Sequence, residues 1–250
     1  MNEQSSPKLI LVHGAWHGAW CWAPLEPRLA ERGVDFETVE LTSQGWDPLA
    51  LGDLYSDAQV VRDAASSVGG PVVLLGHSYG GLVISQAAER LDNVAQLIYL
   101  TAFLPELGES LTDIVGPWVT SGVADISWLQ TTADGLLTVA KGRARDVFYN
   151  DCDAEVIAEA EARLRPQSGV SFQQQVDVSP RLPSLYIVCN QDLTIPVAGQ
   201  MQLAERAGRI CELSTGHCPF LSQPEQLSDL LAEQLSVGSP VEASMKGASR

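Results

Sequence analysis

Ser78 lies in a glycine-rich turn, Gly-His-Ser-Tyr-Gly at residues 76–80, directly after a run of branched apolar residues. The run predicts a strand that is buried on both faces, and the residues after the turn are typical of a helix. A serine on such a sharp turn needs neighbours without side chains, because the two backbones pass very close there. Ser78 is therefore a candidate nucleophile. The alternative is a glycine-rich β–α turn that contains an incidental serine.

A serine hydroxyl is a weak nucleophile until a base removes its proton, so Ser78 requires a nearby histidine. The chain has four histidines. We expect His77 to point away from its neighbour Ser78, and His13 and His17 to shape the glycine-rich loop after the first predicted strand. His217 follows a late strand, in the turn Ser-Thr-Gly-His-Cys-Pro. We predict that His217 is the base; the alternative is a solvated turn histidine.

A histidine base needs a buried carboxylate that fixes its tautomer and stabilises the imidazolium. Asp192 lies just beyond a predicted strand, Leu185–Cys189, and Glu106 lies just beyond an earlier one. We prefer Asp192 because its loop is nearer to His217 along the chain. Its alternative role is that of a helix or turn cap.

Attack by Ser78 on an ester carbonyl creates an oxyanion, which needs two preorganised donors. One predicted donor is the backbone amide of Tyr79, because it lies at the start of a helix. The other would come from the loop after the first strand, and the amide of Ala15 is our choice.

The elements that position these residues alternate between strands and helices, which predicts right-handed crossovers and a parallel sheet with helices on both faces. Ligands of such sheets bind beyond the carboxyl ends of the strands. The predicted strands are 8–13, 35–41, 71–75, one within 94–104, 185–189 and one around 210–213. Capping-box spacing also predicts helix starts at Ser56 and at Ser222.

From residue 105 to residue 181 this alternation stops, and the stretch is too long for a connecting loop. We predict that residues 105–181 form a cap, which is inserted between residues 1–104 and 182–236 of one core. The Ser-, Gly- and Ala-rich residues 237–250 are expected to be a flexible tail.

Composition narrows the class of protein. The 250 residues have 31 acidic and 15 basic side chains, a net charge of −16, which disfavours binding to nucleic acid or to an anionic membrane surface. No apolar run has bilayer length, and the first residues lack the features of a signal peptide, so we expect a cytoplasmic protein. The five cysteines are scattered without Cys-x-x-Cys spacing, which predicts free thiols and no structural zinc.

Four stretches together resemble the α/β-hydrolase superfamily: Val-His-Gly-Ala-Trp-His-Gly-Ala-Trp-Cys-Trp at 12–22, Gly-His-Ser-Tyr-Gly-Gly at 76–81, Ile-Val-Cys-Asn-Gln-Asp with Ile-Pro at 187–196, and Gly-His with Pro-Glu at 216–225. The first stretch is similar to the branch that holds plant methylesterases, hydroxynitrile lyases and related bacterial esterases. The resemblance covers nearly the whole chain. It implies an α/β-hydrolase fold with a mostly parallel six-stranded sheet, helices on both faces and an inserted cap.

By position, the resemblance implies a triad of Ser78, Asp192 and His217, with the amides of Ala15 and Tyr79 as oxyanion donors. It also matches Trp128 to a cap tryptophan that lines the substrate pocket; as a bare residue Trp128 is equally compatible with cap core.

The function expected from the triad is hydrolysis of a carboxylic ester with a small apolar or aromatic group, through an acyl-enzyme and without metal or organic cofactor. Lyases of this branch carry a lysine after the catalytic histidine and a threonine in the first loop, where this chain has Cys218 and Gly14. A hydroxynitrile lyase is therefore disfavoured, and a non-catalytic small-ligand receptor on the same fold is the other alternative. Both a monomer and a homodimer are compatible with the sequence.

Overall fold

The computed structural model describes residues 6–178 and 181–237. Its strands are β1 (Lys8–Val12), β2 (Phe36–Thr38), β3 (Val72–His77), β4 (Val94–Leu100), β5 (Leu129–Thr131), β6 (Leu136–Val139), β7 (Gln167–Ser168), β8 (Ser184–Cys189) and β9 (Arg209–Leu213). Its α-helices are α1 (Glu26–Glu31), α2 (Leu54–Ser67), α3 (Gly80–Ala88), α4 (Leu111–Thr120), α5 (Ala144–Phe148), α6 (Ala154–Glu161), α7 (Gly169–Gln173), α8 (Val197–Ala204), α9 (Pro219–Ser222) and α10 (Pro224–Val237).

Six of these strands form one sheet in the order β2-β1-β3-β4-β8-β9, and each neighbouring pair is parallel. Leu9 to Val12 and all of β3 are buried. Successive side chains of a strand point to opposite faces, so burial of consecutive residues means that both faces are covered. The predicted α/β-hydrolase fold is confirmed.

The register of the sheet brings the carboxyl ends of its strands to one edge. Val12 pairs with Gly76, His77 with Leu100, and Cys189 with Leu213. The loops that follow β1, β3, β4, β8 and β9 therefore start next to one another. These five loops contain all the predicted triad residues and both predicted oxyanion amides.

A second, antiparallel sheet of β5, β6 and β7 lies in the stretch between β4 and β8, together with helices α4 to α7. We call residues 101–183 the inserted segment. The predicted division into core and cap at residues 105 and 181 remains a prediction, and most of the predicted tail, 238–250, lies outside the described residues.

Both predicted capping boxes are wrong in position. Helix α2 begins at Leu54, because Asp53 is its cap: the Asp53 carboxylate accepts from the Ser56 amide at 2.9 Å, and the Ser56 hydroxyl accepts from the Asp53 amide at 2.7 Å. Ser222 ends the short helix α9, and α10 starts at Pro224, whose fixed φ suits the first helical position. In the described residues we find no helix with the length and apolar character required to cross a membrane.

Candidate active site

Ser78 follows β3 directly and has φ +54°, in the left-handed region that non-glycine residues rarely adopt. A Cβ on Gly76 would collide with the Gly80 carbonyl, and a Cβ on Gly80 would lie 2.7 Å from the Val12 carbonyl oxygen. The glycines on either side of Ser78 thus allow strand, helix and neighbouring strand to pass in close contact, as the sequence predicts. Residues held in such sparsely populated conformations cluster at functional sites.

The backbone amides of Ala15 and Tyr79 donate to no acceptor in the described part of the chain. Both residues lie in the wall of the same cavity as Ser78. Buried amides are normally paired, so two free amides beside a strained serine are available to an oxygen atom of a ligand.

His217 and Asp192 form a buried pair, in which His217 Nδ1 lies 2.7 Å from Asp192 Oδ2. The other carboxylate oxygen, Oδ1, accepts from the amides of Thr194 at 2.6 Å and Ile195 at 3.0 Å. Asp192 therefore caps its own turn with one oxygen and holds the imidazole with the other. The two roles that the sequence offered as alternatives coexist, and the cap fixes the direction of the carboxylate toward His217.

Two further side chains hold this carboxylate, and the sequence did not single out either of them. The Thr101 hydroxyl donates to Asp192 Oδ2 at 2.5 Å, and Gln200 Nε2 donates to it at 3.3 Å. Thr101 follows β4 and has φ +37°, so its backbone is also strained. Thr101 lies inside the stretch 94–104, in which the sequence predicts a strand, so its position there gave no signal of this contact. Glu106, the second candidate acid, lies elsewhere on the surface, where it pairs with Arg206.

Ser78 Oγ makes no hydrogen bond with His217 within the described part of the chain. The two residues are linked through His77, whose Nε2 donates to the main-chain carbonyl of His217 at 2.9 Å. Catalytic hydrogen bonds are often long in enzymes without substrate and tighten when substrate binds. The structure thus joins Asp192 to His217 and joins His217 to the residue that precedes Ser78.

The other three histidines are buried and hold the loops together. Burial lowers the pKa of His13 to about 4 and that of His17 to about 3, and lowers the pKa of His77 well below its usual value. His17 Nδ1 donates a hydrogen bond to the Ala15 carbonyl at 2.8 Å, and Nε2 of this neutral ring accepts one from the Tyr149 hydroxyl at 2.9 Å. These neutral rings shape the loop that carries the free Ala15 amide.

A cavity of about 630 Å³ lies above the sheet edge and is enclosed mainly by the inserted segment. Trp128, which the resemblance placed at the substrate pocket, lines it. So do five other aromatic residues: Trp16, Tyr79, Phe103, Trp118 and Phe172. Among the described residues of its wall, none carries a charge. The cavity thus offers an apolar, aromatic surface to a ligand next to Ser78.

No three or more His, Cys, Asp or Glu side chains come together to hold a metal ion in residues 6–178 and 181–237. All five cysteines lie in these ranges and are free thiols, as predicted.

Comparisons with known proteins agree with this architecture. The profile of the Alpha/beta hydrolase family matches residues 9–230. A pyrethroid hydrolase of Sphingobium wenxiniae is 32% identical over 245 residues, which are 90% of this chain and 86% of the relative. The polyneuridine aldehyde esterase of Rauvolfia serpentina is 27% identical, over 93% of this chain and 97% of the relative.

The solved structure of a pyrethroid hydrolase from Sphingobium faniae superposes with a TM-score of 0.81 at 29% identity, over 94% of this chain and 98% of that one. The family profile covers nearly the whole described chain, from β1 into α10. Because this profile matches far more than half of the chain, the chain belongs to the alpha/beta hydrolase family.

Proposed function

We propose that this protein is a serine esterase that cleaves carboxylic esters of neutral, apolar or aromatic substrates. The observation that carries the proposal is the position of Ser78, strained and beside two free amides, in the wall of an uncharged cavity. The buried pair of Asp192 and His217 supplies the base. Two relatives are named as a pyrethroid hydrolase and an aldehyde esterase, which supports ester cleavage.

In the first half-reaction, Ser78 Oγ attacks the ester carbonyl carbon while His217 Nε2 takes the hydroxyl proton. Asp192 accepts the hydrogen bond of Nδ1 and stabilises the imidazolium. The amides of Ala15 and Tyr79 donate to the oxyanion of the tetrahedral intermediate. Collapse of the intermediate breaks the bond to the alcohol oxygen, which leaves with the proton from His217.

In the second half-reaction, water attacks the acyl-enzyme with the same base and the same oxyanion donors. Its proton passes through His217 to Ser78 Oγ, and the carboxylic acid leaves. No cofactor takes part in either step.

The substrate class follows from the wall of the cavity. A charged group transferred into it would lose its hydration without gaining a partner, which is strongly unfavourable. A neutral ester with apolar groups gains instead from the burial of its surface against Trp16, Trp118 and Trp128. We therefore propose that both the acyl and the alcohol groups of the substrate are uncharged.

Hydroxynitrile lyase activity is not favoured. Cys218 follows His217 and is fully buried, and burial raises the pKa of its thiol well above the usual value. A neutral thiol at this position offers no positive charge to a cyanide leaving group.

The test is incubation with a serine-directed fluorophosphonate, followed by intact mass and peptide mapping, beside assays with neutral aryl esters. We expect one label, on Ser78, and turnover that disappears in Ser78→Ala with the circular dichroism spectrum unchanged. A receptor on this fold would bind apolar ligands without steady-state turnover. Turnover that persists in Ser78→Ala, or a label elsewhere, contradicts the proposal.

A further inference from the structure

Asp57, in helix α2, is a buried carboxylate that the proposed mechanism does not use. Its side chain accepts hydrogen bonds from the hydroxyls of Ser43 at 2.5 Å, Thr42 at 2.9 Å and Tyr79 at 2.9 Å. The backbone amides of Thr42 and Ser43 donate to it as well, at 2.7 and 3.0 Å. Burial of a carboxylate is unfavourable unless hydrogen bonds replace its lost hydration, and these five donors do so only while each is held in position.

One of these donors belongs to the elbow. Tyr79 follows Ser78 and carries one of the two free amides, and its ring packs on Phe172 with the ring centroids 5.6 Å apart. The peptide between Ser78 and Tyr79 sets the direction of that amide. Because Ser78 is held at φ +54°, this conformation persists only if the surrounding contacts enforce it. The hydrogen bond that the Tyr79 hydroxyl donates to Asp57 fixes the far end of the Tyr79 side chain.

We propose that Asp57 is a positioning residue for the oxyanion hole, acting through the Tyr79 hydroxyl to hold the Tyr79 amide in its donating position. This inference rests on the proposed function. Asp57 does not touch the substrate; it fixes the side chain of the residue that does.

The same carboxylate also connects the elbow to the inserted segment. Ser43 Oγ, which donates to Asp57, accepts from Gln167 Nε2 at 2.9 Å, and Gln167 Nε2 also donates to Ser171 Oγ at 2.7 Å. Ser171 precedes Phe172, on which the Tyr79 ring packs. The Tyr79 hydroxyl is thus connected through Asp57 and Ser43 to residues 167–171, and the Tyr79 ring contacts the next residue, Phe172.

A matched control exists in the core. Tyr99 is buried like Tyr79, and its hydroxyl lies 2.8 Å from Ser85 Oγ, but it does not line the cavity. Replacing either tyrosine by phenylalanine removes one buried hydrogen bond and keeps the ring. A purely structural role of the Tyr79 hydroxyl predicts similar behaviour of the two variants in catalysis.

The experiment compares wild type, Tyr79→Phe and Tyr99→Phe for kcat and KM on a neutral aryl ester, and for inhibition by an aryl boronic acid, whose tetrahedral adduct with Ser78 requires the oxyanion donors. We expect Tyr79→Phe to lower kcat and boronic acid affinity, each by about tenfold, with KM changed less than twofold. Tyr99→Phe should keep wild-type kcat and affinity. Asp57→Asn, where it folds, should reproduce the Tyr79→Phe pattern.

Equal kcat and equal boronic acid affinity in folded Tyr79→Phe and wild type would overturn this inference while leaving the esterase proposal intact. Wild-type protein with neither turnover nor labelling of Ser78 would overturn the esterase proposal, and this inference with it.

Discussion

His77 Nε2 donates a hydrogen bond of 2.9 Å to the main-chain carbonyl of His217. The residue before the proposed nucleophile thus holds the loop that carries the proposed base, although 140 positions separate the two. Burial keeps the pKa of His77 well below its usual value, so the ring is neutral and carries its single proton on Nε2. The unprotonated Nδ1 lies against Gly14, where an added Cβ would come within 2.9 Å of it.

From this contact we predict that His77→Leu lowers kcat by about tenfold, because the His217 loop loses its anchor. His77→Gln, whose amide nitrogen can replace Nε2 as a donor, should retain more activity than His77→Leu. Steady-state kinetics at neutral pH, with thermal unfolding as the control for folding, measure both. Equal, undiminished kcat in the two variants would exclude a positioning role for His77.

Asp192→Asn is predicted to lower kcat on the order of 10³-fold, because an amide cannot stabilise the imidazolium. The matched variant is Glu106→Gln. It changes the second candidate acid, which lies on the surface, and it should keep full activity. The reverse result, in which Glu106→Gln is inactive and Asp192→Asn is active, would refute the assignment. Both variants are assayed on the same neutral aryl ester.

Val119 is predicted to control substrate size. It lies with Thr112, Val115 and Gly116 on the face of α4 that lines the cavity. Val119→Phe should lower kcat/KM for bulky esters about tenfold relative to short-chain esters, whereas Val119→Ala should leave this ratio unchanged or raise it. The ratio of the two kcat/KM values across alanine, valine and phenylalanine is the measurement. A ratio that does not vary with side-chain size would show that bulky groups lie elsewhere.

The buried histidines predict a loss of stability in mild acid. Burial lowers the pKa of His13 to about 4 and that of His17 to about 3, while an unfolded histidine has a pKa of about 6.5. Below about pH 6.5 the unfolded chain therefore binds more protons than the folded one, and the free energy of unfolding falls as the pH falls. At pH 5 each of the two histidines removes about 2 kcal/mol.

Urea unfolding between pH 7.5 and pH 5 measures this loss. In His17→Gln the slope of the free energy of unfolding against pH should fall by the equivalent of about one proton taken up on unfolding. A free energy of unfolding that is constant over this range would contradict the prediction.

Much of the site was predictable because each predicted triad residue follows a strand of a parallel sheet. Ser78, Asp192 and His217 each come after an apolar run, and the parallel arrangement brings those ends together whatever their separation along the chain. The amides of Ala15 and Tyr79 were predictable for the same reason, since they belong to loops at that edge.

The supporting contacts were not predictable in this way. Thr101, His77 and Asp57 act through partners that are distant in sequence, and a side chain's partner across the core has no local signal. The start of α2 was missed because Ser56 has the residue type of a cap, while the fold uses Asp53 as the cap and Ser56 as the returning partner. Local pattern therefore located the elements and the proposed reacting groups, while the side chains that orient those groups depend on tertiary packing.

The uncharged wall of the cavity favours the substrate of the proposed reaction and disfavours its acid product. A neutral ester gains from leaving water for this aromatic surface, but its acid product ionises at neutral pH and finds no counter-charge among the described wall residues. The net charge of −16 over the whole chain further repels the product anion. Each turnover thus converts a molecule that partitions into the protein into one that partitions into water, and the enzyme is freed of its product by the chemistry it performs.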